Sequence, residues 1–340
     1  MKEIRRRQPP PVISIITPAF NEEENLPQLQ ARLHGVLDPL GIDWEWVVVD
    51  DHSSDGTWKL LRNLAETDHR LVAIRFSRNF GSHQAMSCAM QHAAGESAVI
   101  MAADLQDPPE TLPLLMEHWR AGNEVVWAVR QEREGASFST RLFAGLYYWL
   151  MRRFALPNMP AQGADFLLMD RKVVDAYNSI GEKNTSLLAT ILWMGFRQTS
   201  VEYIKRARHA GKTKWTLAKK LKLLVDSVVS FSYAPIRAMS YVGLAMAALG
   251  FAYAASVVAG RLFGWVVAGT GFAALITVLL VGQGMILTTL GVLGEYLWRT
   301  FDEARGRPRY IVDDYVSSAP QSGHGRVLDA SRLTNPRSLR

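Results

Sequence analysis

Met101-Ala-Ala-Asp-Leu-Gln-Asp-Pro-Pro-Glu110 is the stretch on which the reading of this chain turns. It follows the apolar run Ser97–Met101, which reads as a short buried strand, and precedes Thr111–Trp119, which reads as a helix. Pro108 and Pro109 suit the first turn of that helix, where a missing N–H costs nothing. Asp104, Gln106 and Asp107 therefore fall where a strand ends, at the carboxyl edge of an open α/β sheet, the edge at which such sheets bind ligands. Oxygens from Asp and Gln there could hold a divalent cation, which in turn would hold a diphosphate. A solvated acidic loop with an aspartate capping the helix would account for the same residues.

Working upstream, Val12–Thr17 is β-branched and leads directly into Pro18-Ala-Phe-Asn-Glu22. Asn21 is placed to cap a helix whose apolar positions Leu26, Leu29, Leu33, Val36, Leu37 and Leu40 keep helical spacing. Trp44–Val49 is a second buried strand ending in Asp50-Asp51-His-Ser-Ser-Asp-Gly-Thr57, and Trp58–Ala65 a helix. Leu71–Phe76 is a third strand, ending in Ser77-Arg-Asn-Phe-Gly81, with a helix over His83–Ala94. Strands alternating with helices predict a mostly parallel sheet covered on both faces. Polar clusters then fall at the carboxyl ends of successive strands, which favours a site over a mere loop.

Residues 120–200 are less regular. Glu124–Val129 reads as a strand ending at Arg130, Ser139–Phe154 as an amphipathic helix carrying Arg141, and Val201–Ile204 as a last strand. Asp165 reads as a turn residue and Asp170 as a helix cap. Arg206, Arg208, Lys212 and Lys214 form either a solvated loop or a phosphate-binding flap, and the flap fits a site that already holds an acidic metal turn.

Composition adds a membrane. The chain has 340 residues, 48% of them hydrophobic, and a net charge of +6; the apolar excess is concentrated where residues 234–298 are nearly free of charge. Basic clusters at Arg5–Arg7, Lys205–Lys222 and Arg299–Arg309 lie beside apolar segments and point to anionic lipid headgroups before nucleic acid. Cys88 is the single cysteine, which excludes an internal disulfide. The N-terminus lacks the apolar core of a signal peptide and reads as a flexible basic tail. Leu217, Leu221, Leu224, Val225, Val228 and Phe231 share one helical face, as in a helix lying in the headgroup plane or packed on the enzyme's own core. Residues 238–260 carry no charge and are long enough to span roughly 30 Å of hydrocarbon. A second span is expected within Val266–Leu293, giving a hairpin. Basic residues before the first span and after the second put the catalytic part and the C-terminus in the cytoplasm.

Other nucleotide chemistries find no support. Gly269-Thr-Gly271 lies inside an apolar run instead of after a strand, and Gly211-Lys-Thr213 has neither the upstream glycine nor the strand of a phosphate loop. A dehydrogenase and a P-loop ATPase are thereby disfavoured.

Taken together and in order, these motifs resemble the inverting GT-A glycosyltransferases of family two. The closer likeness is to the polyprenyl-phosphate branch that includes dolichol-phosphate mannosyltransferase and bacterial undecaprenyl-phosphate glucosyltransferases. It runs from about Val12 to Tyr310, hairpin included. Pro18-Ala-Phe-Asn-Glu22 is similar to the family's P-x-Y-N-E, which implies that Pro18, Phe20 and Glu22 contact the nucleotide. Val49 and Asp51 match the strand end that holds base and ribose, and Ala103 would join them from the acidic turn. Ser77–Gly81 and Asp104–Glu110 are close to the bacterial members, Asp165–Arg171 resembles G-D-F-R-L-M-D-R, and Arg208–Lys214 resembles the R-x-x-G-x-S-K flap that grips phosphates.

The resemblance implies a GT-A nucleotide-sugar domain that moves a sugar from a nucleotide-sugar to a polyprenyl phosphate with inversion. UDP-glucose or a related hexose donor fits the glucosyltransferase-like motifs best. Mg2+ or Mn2+ at Asp104 and Gln106 is the implied cofactor. Asp104 and Asp165 are the implied catalytic carboxylates, Arg208 and Lys214 hold the leaving diphosphate, and Arg130 and Arg141 are candidates for the acceptor phosphate. Three departures stand out: Ala102 replaces the first carboxylate of D-x-D, Leu167 replaces the arginine of G-D-F-R, and His52 replaces the glycine of D-D-G-S.

The expected organisation is a basic tail over 1–11, a catalytic domain over 12–210 and amphipathic juxtamembrane helices over 211–234. Two transmembrane helices over 235–298 and a partly disordered cytoplasmic tail over 299–340 complete it. The expected location is a bacterial inner membrane, with membrane lipids as partners, no nucleic acid, and self-association compatible with so small an anchor. Ala102 and Leu167 motivate a rival reading, a non-catalytic scaffold with a degenerate nucleotide site. A processive polysaccharide synthase is disfavoured, because two helices enclose no channel.

Overall fold

The computed structural model describes residues 12–130, 145, 152–153, 166–182, 186–204, 234–263 and 271–318. The catalytic part alternates β1 (Ile13–Ala19), α1 (Leu26–Leu37), β2 (Trp44–Asp50), α2 (Thr57–Thr67), β3 (Leu71–Phe76), α3 (Ser82–His92), β4 (Ser97–Ile100), α4 (Leu112–Arg120) and β5 (Val125–Arg130). Then come β6 (Phe166–Asp170), α5 (Arg171–Ser179), α6 (Leu187–Trp193) and β7 (Gln198–Tyr203). Two long helices, α7 (Ala234–Leu262) and α8 (Phe272–Ala304), and a strand β8 (Val312–Ser317) follow.

Among the described residues the strands form one eight-stranded sheet, ordered β7-β5-β6-β4-β1-β2-β3-β8. Only β6 and β8 run against the rest. The mixed α/β class and the mostly parallel sheet are as the strand–helix alternation predicts. Both faces are covered, as the near-continuous apolar runs of β1 and β2 require. One face buries Ile15, Trp46 and Val48 under α1, α2 and α4, and the other buries Val47, Val49 and Ile74 under α3.

The chain builds β1, β2 and β3 outward in one direction, then crosses back to lay β4 on the other side of β1. That reversal opens a crevice at the carboxyl ends of β1 and β4, where an open α/β sheet takes its ligand. Register places the surrounding ends level, with Ala19 beside Asp50 and Asp50 beside Arg75.

Two local expectations change. Asn21 does not cap α1, which begins at Leu26 after an Asn25 that makes no side-chain cap. Asn21 adopts a left-handed backbone (φ 56°) and its Oδ1 accepts from Ser54 N–H at 2.9 Å, so it ties two loops together. Nor is β7 the last strand. Asp170 does cap α5, accepting from Lys172 N–H at 3.0 Å.

Among the described residues one segment, Ile236–Gly260 in α7, is long and apolar enough to cross a bilayer, and none of its apolar window is buried. Helix α8 packs along α7 near Met239, Val242, Gly284 and Met285, and leaves Leu279, Leu287 and Leu293 exposed. The juxtamembrane helices expected over 211–234 lie outside the described residues, save for Ala234 at the start of α7.

Candidate active site

Four loops meet at the carboxyl edge: Phe20–Asn25 after β1, Asp51–Gly56 after β2, Ser77–Gly81 after β3 and Met101–Pro108 after β4. The first two are stitched to each other. Asn21 N–H donates to Ser53 Oγ (2.8 Å), Glu22 N–H to Thr57 Oγ1 (2.9 Å), and Gly56 N–H to Glu23 Oε2 (2.9 Å). Glu22 Oε2 accepts from Asn25 Nδ2 at 2.6 Å. Pro18 and Phe20 are partly exposed on this rim, where a planar ligand could lie against them.

Asp51 is buried at the centre. Its Oδ1 accepts from Phe80 N–H (2.6 Å) and its Oδ2 from Gly81 N–H (2.8 Å). Gly81 has φ 99°, a conformation that a side chain resists, so the loop's glycine is required for this contact. Burial pushes the Asp51 carboxyl above its ordinary value, the two N–H donors oppose this, and neighbouring Asp50 adds to the rise. Asp50 is fully buried and is likewise raised by burial, against a hydrogen bond from Ser53 N–H (3.0 Å) and the Arg75 guanidinium 3.5 Å away. His52 has φ 61° and its Nδ1 lies 3.1 Å from Phe76 O, which makes that nitrogen the donor.

The acidic turn leaves β4 through Met101, whose N–H donates to Ile16 O at 2.9 Å. Asp104 and Gln106 are partly exposed, and Asp104 Oδ1 faces Gln106 N–H at 3.3 Å. Leu105 between them has φ 60°, unusual for a bulky side chain. Asp107 turns inward, 1% exposed, and accepts from Tyr203 Oη at 2.7 Å. Replacing Tyr203 by Phe removes a buried hydrogen bond and should cost about 1–3 kcal/mol in denaturant unfolding. An unchanged unfolding midpoint would show that the turn does not depend on this contact.

Asn21, His52 and Leu105 are the described non-glycine residues with positive φ, and all three lie in loops at this one edge. Such conformations cost on the order of 1–3 kcal/mol each and cluster where function fixes the backbone.

The structure thus brings together Pro18, Phe20, Glu22, Asp51, Asp104 and Gln106. Val49 and Ala103 are buried, and their side chains belong to the two core layers. Their side chains are therefore closed to a ligand. Arg130 ends β5 at the same edge, paired with Tyr203. Asp165, Arg141, Arg208 and Lys214 lie outside the described residues. Leu167, at the position of the family's arginine, is fully buried beside Ile100 and Trp127 and presents no polar group. Sequence reasoning missed the grip of Phe80 and Gly81 on Asp51, although the glycine after the third strand was a signal for it. It also missed the tether from Tyr203 to Asp107, which pairs residues far apart in the chain.

Among the described residues no group of three His, Cys, Asp or Glu side chains could hold a metal ion. Asp104 and Gln106 offer hard oxygen donors on one turn, a partial shell. That suits Mg2+ or Mn2+, which keep waters and substrate phosphates as their remaining ligands.

Residues 14–177 match the family model described as glycosyl transferase family 2. An uncharacterized glycosyltransferase of Bacillus subtilis, YkcC, is 40% identical over 88% of this chain and 92% of its own length. A prophage bactoprenol glucosyl transferase homolog of Escherichia coli K12 is 34% identical over 88% and 98%. An undecaprenyl-phosphate 4-deoxy-4-formamido-L-arabinose transferase of Erwinia tasmaniensis is 32% identical over 90% and 94%. Among solved structures, a Pyrobaculum calidifontis mannosyltransferase in complex with GDP-Man and Mn2+ overlaps 86% of this chain and 88% of its own, at 20% identity and a TM-score of 0.42.

Proposed function

From the premise that this chain belongs to glycosyl transferase family 2 and is a glycosyltransferase, we propose that it moves a hexose from a nucleotide-sugar onto a polyprenyl phosphate. UDP-glucose or a closely related donor is the first choice, and the cytoplasmic face of a bacterial inner membrane is the place. Relatives named for bactoprenol and undecaprenyl phosphate, matched over nearly their whole length, support the acceptor. The observation that carries the reading is the pairing of one strained polar edge, at the switch point of the sheet, with an uncovered 25-residue apolar helix in the same chain. A water-soluble donor and a lipid acceptor need that combination.

The chemistry asks little of a general base. An oxygen of the acceptor phosphate, already anionic near neutral pH, attacks the anomeric carbon from the face opposite the diphosphate. The bond from that carbon to the diphosphate breaks, the nucleoside diphosphate leaves with the electron pair, and configuration inverts. Catalysis then rests on positioning and on stabilising the leaving group. A divalent cation held by Asp104 and Gln106 would offset the charge growing on the diphosphate. Pro18, Phe20, Glu22 and Asp51, with the backbone at Val49 and Ala103, hold the nucleotide. Arg208 and Lys214 grip its phosphates, Arg130 and Arg141 take the acceptor phosphate, and Asp165 orients acceptor or metal. Residues 12–210 supply this catalytic part, 211–234 lie along the headgroups, and 235–298 anchor the enzyme as a two-span hairpin.

Purified protein given undecaprenyl phosphate, Mn2+ and a panel of radiolabelled nucleotide-sugars should yield a chloroform-soluble product, first with UDP-glucose. No labelled lipid from any donor, while a bactoprenol glucosyl transferase labels it in parallel, would overturn the proposal.

A further inference from the structure

The segment that leaves α8 returns to the sheet and closes on the loop that grips Asp51. Strand β8 runs antiparallel to β3, with Ile74 opposite Tyr315 and Arg75 opposite Asp314. The register shifts between Arg75 and Phe76, and Phe76 then pairs with Val312. Just beyond, Ser77 N–H donates to Ile311 O at 3.0 Å. Tyr310 stacks on the Phe76 ring, with centroids 5.0 Å apart and planes 17° from parallel. The Phe76 and Phe80 rings meet at nearly a right angle with centroids 5.5 Å apart, and the Arg78 guanidinium lies 4.1 Å over Phe80. Phe80 N–H is one of the two donors on Asp51, and Phe76 O is the acceptor for His52. Tyr310 is itself fixed on both sides: its hydroxyl donates to Gln91 Oε1 at 2.5 Å, and neighbouring Arg309 donates to Ile180 O at 2.6 Å.

A continuous chain of ring contacts, stacked at Tyr310–Phe76 and edge-on at Phe76–Phe80, therefore runs from Tyr310 to the centre of the edge. The carbonyl of Ile311 holds the first residue of the same loop. No ligand contact of Tyr310 is needed for it to matter, because it acts on the backbone that orients a carboxylate.

We propose that Tyr310, delivered by the segment after the apolar helices, is a positioning residue for the donor nucleotide: it fixes loop Ser77–Gly81 and thereby the orientation of Asp51. The inference rests on the reading of Asp51 as a nucleotide contact. Losing the stack lets the loop move, and donor binding weakens in ground and transition state alike. Acceptor binding at the other side of the crevice is left as it was.

The test uses the full-length protein in detergent with undecaprenyl phosphate and the donor that labels it. Tyr310→Ala should raise the donor KM about ten-fold, the effect of misplacing one hydrogen bond to a charged group, with kcat and the acceptor KM within about two-fold. Tyr310→Phe gives up the hydroxyl bond to Gln91 but keeps the stacked ring, so its donor KM should rise less than that of Tyr310→Ala. Should Tyr310→Ala not fold, Tyr310→Leu, which keeps bulk but not a flat face, is read in the same way. An unchanged donor KM in the variant overturns the inference, and so does a loss spread equally over kcat and both KM values. Calorimetry with UDP and GDP separates the two failures. If wild-type protein binds neither, the nucleotide reading falls; if wild type and Tyr310→Ala bind equally well, only the role of Tyr310 falls.

Discussion

Asp104→Asn should leave a folded protein that transfers sugar about a hundred- to a thousand-fold more slowly, the usual consequence of removing one group that stabilises leaving-group charge. Asp104 is partly exposed on a turn, outside both core layers, so the exchange of one oxygen for an amide does not unpack the sheet. With Ala102 in place of the family's first carboxylate, Asp104 is the carboxylate of this turn that faces outward; Asp107 is turned in toward Tyr203. The loss should therefore be deeper than in a relative that keeps both acids of D-x-D. It should fall mainly on kcat, and added Mn2+ should recover part of it. The same variant separates an enzyme from a scaffold, because a scaffold would bind nucleotide without dependence on metal and keep its role with asparagine at 104. Equal turnover by variant and wild type would remove Asp104 from the chemistry.

Asp51→Asn is the second large effect, and it is not a conservative change here. Both carboxylate oxygens accept from backbone N–H groups, so an amide must turn its NH2 toward one of two N–H donors. Leaving such a donor buried without an acceptor costs about 1–3 kcal/mol, and donor affinity should fall at least about ten-fold as the loop swings away. Burial raises the Asp51 carboxyl, which fixes the sign of the pH dependence. A raised folded value means that this group's contribution to stability is full below the unfolded value and is lost as pH rises through the folded one. With Asp51 as the proposed nucleotide contact, donor binding runs the other way. Its acid limb should therefore begin above the ordinary aspartate range. Melting temperatures and donor kcat/KM across pH, for wild type and Asp51→Asn, should show the wild type relatively more stable in acid and less able to use donor there. Parallel profiles for the two proteins would contradict this.

Much of the catalytic part was legible because buried parallel strands announce themselves as apolar runs. Leu71–Phe76 was read to the residue, and the other parallel strands to within a few. The site loops were legible for the same reason, since each follows such a run and carries polar residues. Backbone strain was not. Asn21 has the chemistry of a helix cap, and only the neighbouring loop after β2 shows that it is used otherwise. Leu105 offers no hint in its composition that its φ is positive. Long-range pairs such as Tyr203 with Asp107 are invisible to any local window. Strand β8 escaped because Val312-Asp-Asp-Tyr-Val-Ser317 is half-exposed and acidic, and because its partner lies on the far side of the apolar helices. A segment that reads as the start of a tail is one of the two edge strands of the sheet.

That placement sets an order of events during synthesis. When β1 to β4 emerge from the ribosome, the outer edge of β3 has a row of open peptide groups and nothing to cover them. The strand that covers it is translated only after α7 and α8, so that edge stays open until both apolar helices have been made. Synthesis of the apolar helices and completion of the sheet are in this way consecutive. A nascent chain that ends before Tyr310 lacks both the ring that stacks on Phe76 and the Ile311 carbonyl that holds Ser77.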